Sequence, residues 1–245
     1  PDRAFLIDRG SIGQTPAMTT ADESTGSSPL PPDEPPSGRT RVRRIAEKAR
    51  YDRAVIDAIL DDGLVAHVGL TTDDGPVVIP MAYARDGDRL LLHGSVASRL
   101  MRGASGTPVC VTVTLLDGMV VARSLFESSM AYRSVVVLGR AVPVDDPEEK
   151  LAALLALSDR LLPGRAAEAR LPNERELAQT KVLAVPLDEA SAKVSDSSIT
   201  DDPDDLSLPI WAGFLPFRTV VDPPEPAPDL APGIDLSPSI AAMVG

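Results

Sequence analysis

Asp-Gly turns divide the middle of the sequence into short apolar runs, and this spacing limits the folds open to the chain. TDDG (72–75), RDGD (85–88) and the pair Asp117-Gly118 each interrupt an apolar or alternating stretch. The runs that they separate are LVAHVGLT, PVVIPMAYA, RLLLHG, PVCVTVTLL and MVVARSLF. Asp-Gly is typical of tight turns between antiparallel strands. The sequence therefore predicts strands joined by hairpins.

Further apolar runs extend this pattern. YRSVVVLGRAVPV (132–144), TKVLAVPL (180–187) and ASAKVSD (190–196) are predicted strands, while residues 95–103 interrupt the series with a helical pattern. Six strands with tight turns and one intervening helix favour a small antiparallel barrel over a parallel α/β sheet. We therefore expect a mainly β protein, an antiparallel barrel of six to eight strands with peripheral helices.

The peripheral helices are predicted from their start signals. Asp52 is a typical N-cap for RAVIDAIL, Asp146-Pro147 opens EEKLAALLALSDRLL, and Asn173 caps one or two helical turns. The basic segment 39–50 is expected to form a surface helix.

Proline and charge mark the domain limits. Seven of the 24 prolines precede residue 40 and nine follow residue 200. We expect a disordered leader at 1–38, one packed domain at 39–220 and a Pro-rich acidic tail at 221–245.

The net charge of −12 is concentrated near the C-terminus, because residues 188–245 carry eleven acidic and two basic side chains. This balance argues against nucleic acid or an anionic membrane as a partner. Cys110 is the only cysteine, which excludes an intrachain disulfide and fits a cytoplasmic protein. Flanked by alternating Val and Thr, it is interpreted as a small buried apolar residue.

The stretch LLLHGSVASRLMRG (90–103) concentrates hydrogen-bond donors where a strand meets a helix. Ser95 is the predicted N-cap, Ser98 adds a hydroxyl, Gly94 allows close backbone approach, and Arg99 supplies a permanent cation. These features predict an anion site. An ordinary Ser cap beside a solvated arginine remains the structural alternative.

The order of IPMAY, a hairpin, LLLHGSVASR and then YRSVVVLGRA resembles the flavin-binding split barrel of the pyridoxamine 5'-phosphate oxidase-like family. The resemblance covers roughly residues 52–215 and continues through KVLAVPLDEASAKV and LPIWAG, as in the branch of flavin-nucleotide-binding, nitroimidazole-resistance-type proteins. It implies a homodimer with two FMN sites at the subunit interface.

The resemblance also implies positions for the flavin. One strand would lie along the isoalloxazine ring, the junction after the next strand would hold the phosphate, a later strand would add a polar contact from Ser134, and a partner's Trp211 would cover the flavin. The implied cofactor-binding residues are Val78, Ile79, Pro80, Met81, His93, Gly94, Ser95, Ser98, Arg99, Arg133, Ser134 and Trp211.

The sequence departs from the family oxidase at two places. Leu100 stands where the oxidase has a lysine, so Arg102 or another subunit would have to supply the missing cation. The Arg and His residues that grip pyridoxal phosphate have no counterpart near Arg218, so the oxidase's own reaction is not implied.

The resulting expectation is an FMN-dependent oxidoreductase that passes electrons from a reduced nicotinamide to a small acceptor, with the flavin as the redox group. No side chain is an obvious catalytic acid or base, and no metal site is expected. The alternative is a non-catalytic flavin or haem carrier, with His67 or His93 as the haem ligand, or a barrel that serves as a dimeric scaffold without a cofactor. A deazaflavin in place of FMN is also left open.

Overall fold

The computed structural model describes residues 34–244, so residues 1–33 of the expected leader lie outside the described part. The strands are β1 (Ala49–Arg50), β2 (Val65–Thr72), β3 (Gly75–Asp86), β4 (Arg89–Ser95), β5 (Pro108–Val121), β6 (Ser129–Arg140), β7 (Val142–Pro143), β8 (Thr180–Pro186), β9 (Ala190–Ser195) and β10 (Gly213–Pro216). The helices are α1 (Arg53–Asp62), α2 (Arg99–Ala104), α3 (Pro147–Leu161), α4 (Glu174–Gln179) and α5 (Pro238–Val244), with 3-10 turns at 46–48, 165–167 and 203–205.

All ten strands join one antiparallel sheet in the order β1-β9-β6-β5-β2-β3-β4-β8-β7, with β10 beside β5. The path curls around a core without closing, which confirms the expected mainly β split barrel with flanking helices. Among the described residues, no helix is both long and apolar enough to span a bilayer.

The sheet splits because β3 changes partners along its length. Its residues 75–82 pair with β2, whereas its residues 83–86 pair with β4. Tyr83 opposite Leu92 is the last pair of the second ladder, so Ala82 and His93 diverge beyond it. A wedge therefore opens between the first two thirds of β3 and the end of β4.

The main core fills the barrel and is closed by α1 and α2. Ile56, Ile59 and Leu60 of α1 are at most 2% exposed, and they pack with Leu100 and Met101 of α2 against inward-facing strand residues. Full burial of such a side chain contributes roughly 1.5–3 kcal/mol to folding. A second cluster packs α3, through Ala153 and Leu157, against the outer side of β4 and β8.

The helix start signals are confirmed by hydrogen bonds. Asp52 accepts from the Val55 amide at 3.2 Å, and Asp146 accepts from the Glu149 amide at 2.9 Å. Asn173 and Glu176 form a reciprocal capping box. These caps satisfy amides that would otherwise lack a partner in the first turn of each helix.

The hairpin turn expected at Asp117-Gly118 is wrong. Strand β5 runs through this pair to Val121, with a shift in its register against β6 between Leu116 and Gly118. The Asp117 carboxylate is held by Arg133 at 2.9 Å, and β10 packs directly on Gly118. Asp-Gly is typical of turns, but here long-range contacts hold the pair inside a strand as a β-bulge.

The basic segment 39–50 is not the expected surface helix. It contains one 3-10 turn and then β1, which pairs with β9 at Ala49 and Arg50. Lys48 donates to the Ser195 hydroxyl at 2.9 Å, and Lys193 donates to the Arg44 carbonyl at 3.2 Å. The segment lies along the β9 edge because that edge offers unpaired backbone groups.

Candidate flavin site at the split of the sheet

The wedge brings together the two segments that carry most of the predicted site. Val78, Ile79, Pro80 and Met81 lie on β3 where the strand has β2 on one edge and no strand on the other. Residues 93–95 and the start of α2 lie across the opening. The structure therefore places two distant sequence stretches around one cleft.

The open edge of β3 offers unpaired backbone groups. Pro76 and Pro80 are four residues apart, so the N–H that each lacks belongs to the same edge of the strand. Proline is tolerated in a ladder where its missing donor faces an open edge. Val78 and Ile79 are 62% and 42% exposed there. This edge can give hydrogen bonds and apolar contact to a flat polar ring, which is what a flavin requires.

The start of α2 differs from the sequence-based expectation. Ser98, not Ser95, is the N-cap, and its hydroxyl accepts from the Met101 amide at 3.4 Å. Ser95 ends β4 and accepts from the Ala97 amide at 3.2 Å. The chain leaves the sheet later than expected because residues up to Ser95 still pair with β8.

Arg99 projects from the first turn of α2 and is 67% exposed at its side chain. It pairs with Asp74, which lies in the turn between β2 and β3. The guanidinium thus spans the mouth of the wedge, close to the beginning of the open β3 edge. An anion entering there would meet a cation that already has a carboxylate partner.

Gly94 and Leu100 have structural explanations. A Cβ on Gly94 would lie 2.8 Å from Met101 Cγ, so the glycine lets α2 pack on β4. Leu100 is 8% exposed and belongs to the main core. It is a packing side chain where the resemblance implies a lysine, and Arg102, two residues further along α2, is exposed.

Lysines that the sequence did not single out lie next to the end of β4. Lys181 is opposite Gly94 in the β4–β8 register, and Lys150 donates to the Leu177 carbonyl at 2.6 Å. Both line an open depression beside Val96. No local motif marks them, because only the strand register and the placement of α3 bring them there.

His93 and His67 have different surroundings. His93 shares a sheet face with the cluster under α3, its Nδ1 is buried without a hydrogen-bond partner, and burial lowers its pKa below the ordinary value of 6.5. His67 is exposed, in cross-strand register with Pro80 on one side and Thr112 on the other. His67 therefore lies beside the open face of β3, and His93 faces the helix.

The structure does not bring Arg133 to this face. Arg133 and Ser134 are neighbours on β6 and so point to opposite sides of the sheet. Arg133 is bound by Asp117 and Asp62, which raise its pKa further above its ordinary value. Ser134 pairs with Thr114 and remains on the outer face.

Cys110 is half-buried rather than fully enclosed.

Trp211 lies in the segment before β10 and is 64% exposed. Its ring rests over Gly213, where a Cβ would approach the indole to 2.6 Å. Within a single chain the ring is thus held in position with much of its surface free.

Known proteins resemble this chain in sequence and in fold. A family model described as pyridoxamine 5'-phosphate oxidase matches residues 52–194. The flavocytochrome Anf3 from Azotobacter vinelandii is 40% identical, covering 86% of this chain and 98% of its own, with a TM-score of 0.82.

A second solved structure, the FAD and haem binding protein from Mycobacterium smegmatis, is 41% identical. It covers 81% of this chain and 98% of its own, with a TM-score of 0.78. No curated protein matches the sequence. The match of the family model over more than half of the sequence shows that the chain belongs to the pyridoxamine 5'-phosphate oxidase family.

Proposed function

We propose that the protein binds a flavin in the wedge between β3 and β4. The observation that carries this proposal is the similarity to two flavin-associated structures at 40% and 41% identity over more than four fifths of the chain. The open edge of β3, with its exposed Val78 and Ile79, supports the position of the ring.

The residues of the wedge would divide the work of binding. Backbone groups of β3 would hydrogen-bond the polar edge of the ring, and the Ser98 hydroxyl and Arg99 would hold the phosphate. Ser134 lies on β6, three strands from β3, so its expected polar contact would have to reach the flavin along the outer face of the sheet. Because α2 has only six residues, the side chains of Ser98 and Arg99, rather than a helix dipole, would bind the anion.

The identity of the flavin has to be determined. FMN is expected from the family resemblance, whereas the Mycobacterium smegmatis relative is described as an FAD and haem binding protein. We favour FAD on that similarity. A bound flavin supplies two-electron redox chemistry between a reduced nicotinamide and a small acceptor. The chain's own part would be to place the ring and to limit access to its open face, since no wedge side chain is an evident acid or base.

The proposed assembly is a homodimer with each flavin at the subunit interface. Trp211 supports this arrangement, since its ring is fixed over Gly213 and largely exposed in the single chain. In a dimer the ring of one chain would cover the flavin of the other.

The direct test is the absorbance of the purified protein and the identity of the released cofactor. Maxima near ~375 and ~450 nm are expected for an oxidised flavin, and chromatography of the heat-released cofactor separates FMN, FAD and deazaflavins. A colourless protein that takes up none of them in titration would contradict the proposal.

Arg99→Ala tests the phosphate position. It should weaken flavin binding by roughly 1.5–3 kcal/mol, the range for a hydrogen bond to a charged group. Arg102→Ala, one turn further along α2, is the matched control and should have a smaller effect. Equal affinities for wild type and Arg99→Ala would place the phosphate elsewhere.

Anaerobic mixing with NADH or NADPH separates a reductase from a carrier. Loss of the oxidised flavin absorbance within seconds to minutes is expected for a reductase. A flavin that stays oxidised would support the carrier alternative.

Haem is a second candidate ligand, favoured by the names of both relatives. His67 is the better placed ligand, because it is exposed, whereas His93 is half-buried on the sheet face that also carries the α3 cluster. A band near ~410 nm that disappears in His67→Ala and persists in His93→Ala is the expected result. The reverse pattern would assign the haem to His93.

A further inference from the structure

The β5–β6 hairpin extends beyond the barrel and carries exposed apolar side chains. We define the hairpin arm as residues 116–130 together with β10, which pairs with β5 from Gly118 to Val121. Its large exposed apolar residues include Leu116, Met119, Leu125, Phe126, Met130 and Leu215. Leu125 and Phe126, at the tip, are 97% and 91% exposed.

Hydrogen bonds fix the backbone of the tip. Ser128 Oγ donates to the Ser124 carbonyl at 2.9 Å and accepts from the Ala122 amide at 3.1 Å. The Glu127 amide donates to Ser124 Oγ at 3.2 Å. The two apolar side chains are therefore displayed by an internally bonded turn.

A buried carboxylate fixes the tip to the rest of the domain. Asp201, 2% exposed at its side chain, accepts from the Arg123 amide at 2.7 Å and from the Arg123 guanidinium at 2.5 Å. Asp117 is likewise neutralised by Arg133. These two carboxylates are thus paired, and Glu127 is the remaining acidic side chain of residues 116–130. Depletion of unpaired charge beside exposed apolar side chains is typical of the core of a protein interface.

The exposed apolar area matches what a stable dimer needs. Taking ~150–250 Å² for a large side chain, the six residues named above expose on the order of 700 Å². A standard interface buries about 800 Å² on each partner. An apolar patch of this size on a single chain marks an interaction surface.

We propose that the hairpin arm clasps a second copy of this chain, with Leu125 and Phe126 inserted into the partner as the main anchor. The clasp presupposes the homodimer of the proposed function and adds the residues that hold it together. β10 follows directly after the Trp211 segment, so the arm is continuous with the part of the chain proposed to cover the partner's flavin. In a dimer with two-fold symmetry the same surface of both chains is buried, so both arms would lie in the interface.

The test measures the dimer dissociation constant of the full-length protein, stripped of cofactor, by sedimentation equilibrium. The double variant Leu125→Ser/Phe126→Ser should raise this constant roughly 100-fold or more, as expected for hot-spot side chains. The control Val142→Ser/Leu171→Ser replaces two residues that are each 49% exposed outside the arm and should leave the constant within about threefold. Circular dichroism checks that each variant keeps the wild-type fold.

The first two of the following outcomes contradict the clasp, and the third separates it from the flavin function. A monomeric wild type, or a tip variant that dimerises like wild type, would overturn it even if flavin binding is intact. Binding of wild type, but not of the tip variant, to phosphatidylcholine–phosphatidylglycerol vesicles without a change in dimerisation would assign the tip to lipid. A cofactor-free dimer that depends on the tip but takes up no flavin would retain the clasp and contradict only the proposed flavin function.

Discussion

Arg99 has a carboxylate competitor at the proposed phosphate position. Its partner Asp74 is 78% exposed at its side chain, so this ion pair is solvated and weak. A flavin phosphate would displace Asp74 or share the guanidinium with it. The site's affinity for an anion should therefore depend on residue 74, which lies in a turn that local sequence patterns identify only as a turn.

Asp74→Asn should tighten flavin binding roughly two- to fivefold, because it frees Arg99 from a pair worth about 0.2–1 kcal/mol. Fluorescence titration of the cofactor-free protein measures the change. Asp73→Asn is the matched control, since the neighbouring Asp73 forms no ion pair within the described residues. Weaker binding in Asp74→Asn would mean that the carboxylate positions Arg99 productively.

His93 should make stability depend on pH. Burial lowers its pKa, so the folded state takes up this proton less readily than the unfolded state, whose histidine titrates near 6.5. The contribution to stability is complete above pH 6.5 and is lost as the pH falls towards the folded-state pKa. His93→Leu should therefore lose less stability than wild type between pH 7.5 and pH 5 in urea unfolding. An identical loss in both proteins would show that His93 does not titrate as described.

β10 occupies its place on β5 because Gly118 has no side chain. A Cβ at this position would lie 2.3 Å from the Leu215 carbonyl oxygen and 2.5 Å from the Phe214 ring. The short strand thus depends on a glycine far away in sequence. The same glycine sits at the register shift of β5, so one residue sets both the bulge and the docking of the C-terminal segment.

Gly118→Ala should displace β10 and cost about 1–3 kcal/mol of unfolding free energy, the range for an overpacked site. Urea unfolding and limited proteolysis of residues 206–218 measure the two effects. Gly69→Ala is the control within the same sheet, because its Cβ would meet the Cys110 carbonyl at an ordinary 3.5 Å. Unchanged stability and proteolysis in Gly118→Ala would contradict the close packing of β10.

The C-terminal helix α5 is an element that the sequence analysis did not predict. Glu168 accepts from the Ser239 amide at 2.8 Å and from its hydroxyl, and Arg165 donates to Ser237 Oγ at 2.9 Å. The hydrogen bonds from the Ser239 hydroxyl and amide lower the pKa of the Glu168 carboxyl. The start of α5 is thus bonded to the loop after α3. Residues 220–236, which connect β10 to this helix, are exposed.

The chain protects one long edge of its sheet with its own N-terminal segment. Ala49 and Arg50 pair with β9, and Lys48 donates to the Ser195 hydroxyl at the end of that strand. An uncovered edge strand is a template for pairing with other chains. The basic segment therefore has a structural role that its charge alone does not indicate.

Deletion of residues 1–50 should destabilise the domain by roughly 2–4 kcal/mol, the sum of a few lost hydrogen bonds, and should promote aggregation. Deletion of residues 1–33 keeps residues 40–50 in place and is the reference from which the effect of the longer deletion is measured. Thermal unfolding and light scattering compare the two. Equal behaviour of both deletions would show that β9 needs no cover.

The features that could be predicted from the sequence are those set by neighbouring residues. The turns at 73–74 and 87–88, the caps at Asp52, Asp146 and Asn173, and the mainly antiparallel strands are present in the structure. Hydrogen bonds between residues two to four positions apart decide these features, so their signal is local. The family resemblance, read from the order of the strand motifs, is confirmed by the family comparison.

The predictions that were wrong concern features that depend on contacts between distant residues. Asp117-Gly118 has the composition of a turn, but Arg133 and β10 hold it in a continuous strand. Ser95 has the composition of an N-cap, but β8 keeps it in the sheet. Arg133 and Ser134 alternate between the two faces of the sheet, but which of them faces the core depends on the register of β6 against its partner strands. A local sequence pattern does not specify that register.

The main strands, the turns at 73–74 and 87–88, the helix starts at Asp52, Asp146 and Asn173 and the family could be predicted locally, because hydrophobic alternation and turn chemistry act over a few residues. Contacts between distant segments set three further features: β3 pairs with β2 and β4 along different parts of its length, residues 78–81 lie across the resulting wedge from Ser98 and Arg99, and the tip of the hairpin arm exposes Leu125 and Phe126. The physical reason is that hydrogen-bond pairing and burial are settled between distant segments, where no local pattern carries the information.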